Sequence, residues 1–136
     1  MTEELIAGAE VAPALLHRLV DPPKFPAWLT DVDIDYYVKE FEGSGFRGPF
    51  NRYRNFHRDF EYLSNFRDRR IEQPALFITG AQDMATKMSG KDHEERMREK
   101  VPNLRGYHVV ENCGHWTQQE KPAEVTELLL GWLKSL

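Results

Sequence analysis

The stretch Pro74-Ala75-Leu76-Phe77-Ile78-Thr79-Gly80-Ala81-Gln82-Asp83 decides how this chain folds. From Ala75 to Gly80 it is a short continuous apolar run, the pattern of a strand buried on both faces of a parallel sheet. The run opens into Gly80-Ala81-Gln82-Asp83, so Asp83 sits just past the carboxyl end of a central-type strand. Open α/β sheets place their ligands and catalytic groups there.

Downstream, a charged stretch from about 86 to 100 carries Glu94, Glu95, Arg98 and Glu99 at three- and four-residue spacings, as on an exposed helix weakened at its front by Gly90. Val101-Pro102-Asn103 ends it. Tyr107 to Glu111 then reads as a second strand that delivers the chain to Asn112-Cys113-Gly114-His115-Trp116. Pro122 opens an amphipathic helix whose stripe is Val125, Leu128, Leu129, Trp132, Leu133 and Leu136. A strand-helix-strand-helix unit follows, with its strands expected parallel and its crossover right-handed.

Upstream the pattern is helical. Residues 1 to about 30 are rich in Ala and Leu and are broken by Asp21-Pro22-Pro23 and Pro26. A helix is predicted at about 31 to 42, capped by Thr30 or Asp31, with Ile34, Tyr37, Val38 and Phe41 on one face and Gly43-Ser44-Gly45 as its stop. After Phe46-Arg47-Gly48-Pro49, a second helix is predicted along which Phe50, Tyr53, Phe56, Phe60 and Leu63 step at three or four residues. Such an aromatic stripe is ordinarily core packing.

The composition places limits on function. With 136 residues, 40% hydrophobic and 29% charged, the chain is of the soluble globular class. A net charge of −4 argues against a nucleic-acid or anionic-membrane partner, and the basic residues from Arg47 to Arg70 are interleaved with Asp59, Glu61 and Asp68 as on a solvated face. No apolar run approaches the roughly 20 residues that span a bilayer, and the acidic start is unlike a signal peptide. A cytoplasmic location is expected. The single cysteine, Cys113, cannot form an internal disulfide.

Two candidate chemistries compete at the strand ends. Asp83 and His115, each just beyond a strand of the same sheet, fit an Asp-His pair in which the carboxylate fixes the imidazole tautomer and leaves the other nitrogen free to take a proton from water. Equally, Asp83 fits as a helix cap and His115 as a turn residue. A Cys113-His115 hydrolase is weaker, because residues two apart in one loop seldom face each other and a lone buried thiol is usually inert. His17, His57, His93, His108 and His115 lack metal-binding spacings, so no metal is expected, and no cofactor is implied. His93, in a charged helix, reads as solvated.

Three segments in order resemble the epoxide hydrolases of the α/β-hydrolase superfamily. Phe46-Arg47-Gly48-Pro49-Phe50-Asn51-Arg52-Tyr53-Arg54-Asn55 is similar to their cap motif, residues 74–83 to their acid-bearing strand, and Cys113-Gly114-His115-Trp116-Thr117-Gln118 to their histidine loop. The last two are shared with haloalkane and haloacetate dehalogenases, a relationship that the cap motif disfavours. The resemblance implies an α/β fold comprising a partial helical cap segment at 1–70 and the C-terminal strand-helix-strand-helix part of the hydrolase core at 71–136, with an incomplete sheet. It further implies His115 as the water-activating base, Asp83 as its acid partner, and Tyr53 as one of two cap tyrosines that hydrogen-bond a small apolar epoxide. The family's nucleophilic aspartate on a Gly-x-Asp-x-Gly turn and its His-Gly-x-Pro oxyanion-hole motif are absent from these 136 residues. The chain is therefore expected to be inactive alone and either to pair with a missing N-terminal part or to self-associate through its open sheet edge. A non-catalytic remnant that binds apolar ligands is the alternative.

Overall fold

The computed structural model describes residues 22–136, so most of the Ala- and Leu-rich start lies outside the described residues, as does His17. Of the described residues, 22–40 belong to one compact unit and 41–136 to another.

Helix α1, Asp31–Ser44, begins where Thr30 and Asp33 cap one another: the Thr30 amide and hydroxyl both donate to Asp33, and the Asp33 amide returns a bond to the Thr30 hydroxyl. It ends before Gly45, whose φ of +67° lies in the left-handed region that glycine adopts at no steric cost. The single helix predicted after Phe46 is in fact two, α2 at Arg47–Arg54 and α3 at Phe56–Ser64. They part at Asn55, whose side-chain amide donates to the Asn51 carbonyl at 2.8 Å and competes with the helical ladder. Phe41, Phe46 and Phe50 stack in series, while Tyr53, Phe56 and Phe60 stay largely exposed.

Strand β1 covers Ala75–Gly80, as the apolar run predicts, and pairs in parallel with β2, Leu104–Val110. The second strand begins three residues before the predicted start and ends at Val110, because Leu104, Gly106 and Val110 alternate inward from the first pair of the register. Between the strands lie α4, Met84–Met88, and α5, His93–Lys100. The predicted single helix is interrupted at Gly90, with φ +92°. The Glu94-Arg98 and Asp92-Arg96 ion pairs span four residues along α5. Short α6, Thr117–Glu120, leads into α7, Pro122–Leu133, which contacts both strands.

Among the described residues the buried set is small: Thr79, Gly80, Asp83, Val101, Leu104, Gly106, Val110 and Cys113. Expected to be covered on both faces, β1 is only half-buried from Ala75 to Ile78 and becomes buried at Thr79 and Gly80. The reason is that β2 is its one strand neighbour among the described residues. His93 is also not the solvated residue expected: Nδ1 lies 2.9 Å from the Tyr107 hydroxyl, and its ring packs on Phe77. Among the described residues, no helix is long and apolar enough to cross a membrane.

What positions the functional end of the sheet is a backbone approach. A Cβ on Gly80 would stand 2.1 Å from the Gly114 carbonyl oxygen and 2.3 Å from that of Cys113. Only a residue without a side chain lets the two strand-end loops meet, and backbone hydrogen bonds from Ala81 to Val110 (2.9 Å) and from Gln82 to Cys113 (2.8 Å) then tie them. Gly80→Ala is expected to force these loops apart and to destabilise the fold by about 1–3 kcal/mol, as overpacking does. Equilibrium denaturant unfolding with the slope held common to both proteins measures it.

Candidate active site

The site is built on the two turns that leave the parallel strands. After β1 the chain turns so that the Asp83 amide donates to the Gly80 carbonyl at 3.0 Å. After β2 it turns through Asn112, whose φ of +51° is a left-handed conformation that Asn tolerates better than most side chains. Both turns lie at strand carboxyl ends, and the loop hydrogen bonds just described bring them into register.

The structure brings Asp83 and His115 together. His115 Nδ1 lies 3.0 Å from Asp83 Oδ1. A carboxylate can only accept, so Nδ1 is the donor and the neutral ring presents Nε2 as the bare, basic nitrogen. The His115 side chain is 60% exposed, which leaves Nε2 open to water, while that of Asp83 is 11% exposed. One partner is fixed in the protein and the other reaches out from it.

Asp83 meets both readings offered by the sequence. It is the N-cap of α4, where Oδ1 accepts from the Ala85 amide at 2.9 Å, and the same oxygen holds His115. Oδ2 lies 3.3 Å from the Thr79 hydroxyl and 3.4 Å from that of Thr86, and the two hydroxyls lie 2.7 Å apart, so one donates to the other and the second donates to Oδ2. Burial alone pushes the carboxyl up, but the Ala85 amide, the His115 ring and the Thr79 hydroxyl together outweigh it and hold Asp83 below the ordinary aspartate value. The group is thus kept ionised where it faces the imidazole.

Tyr53 is not among the partners of Asp83. It stands on α2, 65% exposed, with the edge of its ring against Phe56 at 5.6 Å. Cys113 is fully buried, and burial followed by the Glu120 carboxylate pushes its thiol up, which suits packing and not nucleophilic attack. Among the described residues no three His, Cys, Asp or Glu side chains gather as a metal set would. Sequence reasoning missed Thr79, Thr86 and Glu120. Thr79 had a signal in the strand, a hydroxyl at its last side-chain position before Gly80, and Glu120 had one in its place a single turn after Trp116.

No protein-family model matches the chain. Epoxide hydrolase B of Mycobacterium tuberculosis is 43% identical over 122 residues, which cover 90% of this chain and 34% of that protein. Bifunctional epoxide hydrolase 2 of Rattus norvegicus is 40% identical over 115 residues, 85% of this chain and 20% of the relative. The solved structure of an epoxide hydrolase from an endophytic Streptomyces superposes with a TM-score of 0.81 at 46% identity over 88% of this chain and 36% of that one. The chain carries the C-terminal part of the epoxide hydrolase form of the α/β-hydrolase fold. It spans about a third or less of the length of these curated relatives.

The lowered Asp83 carboxyl has a consequence for acid stability. The unfolded chain, with an ordinary aspartate, takes up its proton at higher pH than the folded chain does, so the Asp83 contribution is fully present above about pH 4 and is lost as pH falls through the folded value. Thermal unfolding of the wild type should therefore steepen its loss of Tm on acidification below about pH 4. Asp83→Asn should be less stable than wild type at neutral pH and show a flatter profile in that window.

Proposed function

We propose that this chain supplies the hydrolytic half of an epoxide hydrolase, with His115 as general base, Asp83 as its orienting acid and Tyr53 as a cap donor to the epoxide oxygen. The observation that carries the reading is the 3.0 Å Asp83-His115 bond at the ends of two parallel strands, with the buried partner ionised and the exposed one open to water. In the complete reaction, an aspartate carried by another part of the fold attacks an epoxide carbon. The C–O bond breaks and an ester forms, while the ring oxygen takes a proton from the phenol that holds it, leaving a phenolate. His115 Nε2 then removes a proton from water as its oxygen adds to the ester carbonyl. Collapse of that adduct expels the diol oxygen, which takes the proton from His115, and the proton left on the attacking aspartate returns to the phenolate, restoring carboxylate and phenol. The substrate is a small apolar epoxide.

The 136 residues contain no Gly-x-Asp-x-Gly turn and no His-Gly-x-Pro segment, so the ester-forming step has no nucleophile within them. Removing the nucleophile from such a unit costs many powers of ten in rate. The purified chain is expected to form no diol from an aromatic epoxide above the buffer rate. Mixed with the N-terminal part of a homologous epoxide hydrolase, it should restore turnover that His115→Ala abolishes and Tyr53→Phe lowers roughly 100- to 1000-fold, the scale of losing a hydrogen-bond donor to an oxyanion. Turnover by the chain alone that disappears in His115→Ala would overturn the incompleteness claimed here.

A second reading, an apolar ligand-binding or association module, is favoured by one specific feature: Phe50, Tyr53, Phe56 and Phe60 are each at least half exposed on α2 and α3. If it holds, a long apolar epoxide or amide present at about 100 times its Kd should stabilise the chain by roughly 2.7 kcal/mol, read as a rise in Tm. An unchanged Tm at saturating ligand would dismiss this module.

A further inference from the structure

We infer that Glu120 is a positioning residue for His115, clamping the peptide planes of the histidine loop so that the imidazole stays aimed at Asp83. The inference rests on the reading of the Asp83-His115 pair proposed above. Glu120 Oε2 accepts from the Gly114 amide at 2.6 Å, and Oε1 accepts from the Trp116 amide at 3.0 Å. The carboxylate therefore bridges the residues on either side of His115.

These two bonds act on the backbone torsions that matter. The Trp116 N–H belongs to the peptide plane that immediately follows His115, so fixing it fixes His115 ψ. The Gly114 N–H belongs to the plane entering the loop from Cys113, whose side chain is fully buried. Charge-assisted bonds from a carboxylate to two amides are among the stronger local restraints available. The Trp116 amide, at the N-cap of α6, is otherwise one of the donors that a helix start leaves unsatisfied.

The ring itself has little else to hold it. The His115 side chain is 60% exposed, and its neighbours are the Asp83 carboxylate and the edge of Trp116, whose ring centre is 5.2 Å away. With so little packing, the direction of the imidazole follows from its backbone and from one hydrogen bond. The glycine before it is shaped to the clamp: a Cβ on Gly114 would lie 3.0 Å and 3.3 Å from the two Glu120 oxygens, closer than a methyl group and a carboxylate tolerate without a shift. Two positions in the chain, 114 and 120, are thus fitted to one another around His115.

The test uses the full 136-residue chain labelled with 15N and needs no turnover. Long-range proton-nitrogen spectra, taken at a pH where the ring is neutral, report which imidazole nitrogen of His115 carries the proton. Wild type should show a single tautomer protonated on Nδ1. Glu120→Ala removes both acceptors and should give a mixture of tautomers, with the Gly114 and Trp116 amides exchanging at least about tenfold faster. Glu120→Gln keeps one acceptor oxygen at nearly the same volume and should be intermediate. The β1 and β2 amides should stay protected throughout. Retention of the pure Nδ1–H form in both variants would overturn the inference, and so would loss of strand protection in both, since Glu120 would then belong to the fold as a whole. Absence of the Nδ1–H form in wild type would instead remove the Asp83-His115 pair on which the function was proposed, so the two failures are distinct.

Discussion

The close passage of Gly80 against the Cys113-Gly114 backbone is the constraint on which the site depends. Two parallel strands bring their carboxyl ends to the same side, but parallel pairing alone leaves the residues beyond those ends free to diverge. Here a missing side chain at Gly80 lets one turn lie on the other, and backbone bonds from Ala81 and Gln82 lock the approach. Asp83 and His115 are separated by 32 residues of sequence yet sit 3.0 Å apart because of this junction. Their pairing is a consequence of backbone geometry before it is a matter of their own attraction.

The polar groups around that junction form a graded series from protein to water. The linked Thr79 and Thr86 hydroxyls supply one proton to Oδ2 of Asp83, and the Ala85 amide and the imidazole share Oδ1. A carboxylate with three or more donors is held ionised and still, which is what an orienting acid requires. On the other flank, Glu120 holds the loop that carries the imidazole. The exposed base is thus braced by two carboxylates through different means, one through its ring and the other through its backbone.

The same residues explain how much could be read without coordinates. The apolar run at 75–80 and its exit into Asp83 were legible because a buried strand has a compositional signature and the α/β sheet has a rule for its carboxyl end. Two of the predicted helices were each in fact a pair. At Asn55 a side chain shares the Asn51 carbonyl with the backbone ladder, and at Gly90 a positive φ breaks the ladder, and both are local events that periodicity averages over. His93 looked solvated on its charged helix, yet meets Tyr107 from the neighbouring strand, a contact that no helix-only pattern can display.

What the sequence determined by itself was the set of elements and the chemical types placed at their ends: an acid after one strand, a histidine after the next, a glycine before each. Those follow from short-range propensity and from spacing within a strand-helix-strand unit. Only the tertiary structure decided that Asp83 caps α4 and binds His115 with one and the same oxygen, that Glu120 folds back on the amides around His115, and that β1 is half-open along most of its length. Each of these depends on distances between residues brought together by packing. Ångström-scale approaches such as Gly80 on Gly114 are set by how strands and loops meet, and the order of residues along the chain does not encode that meeting in any local pattern.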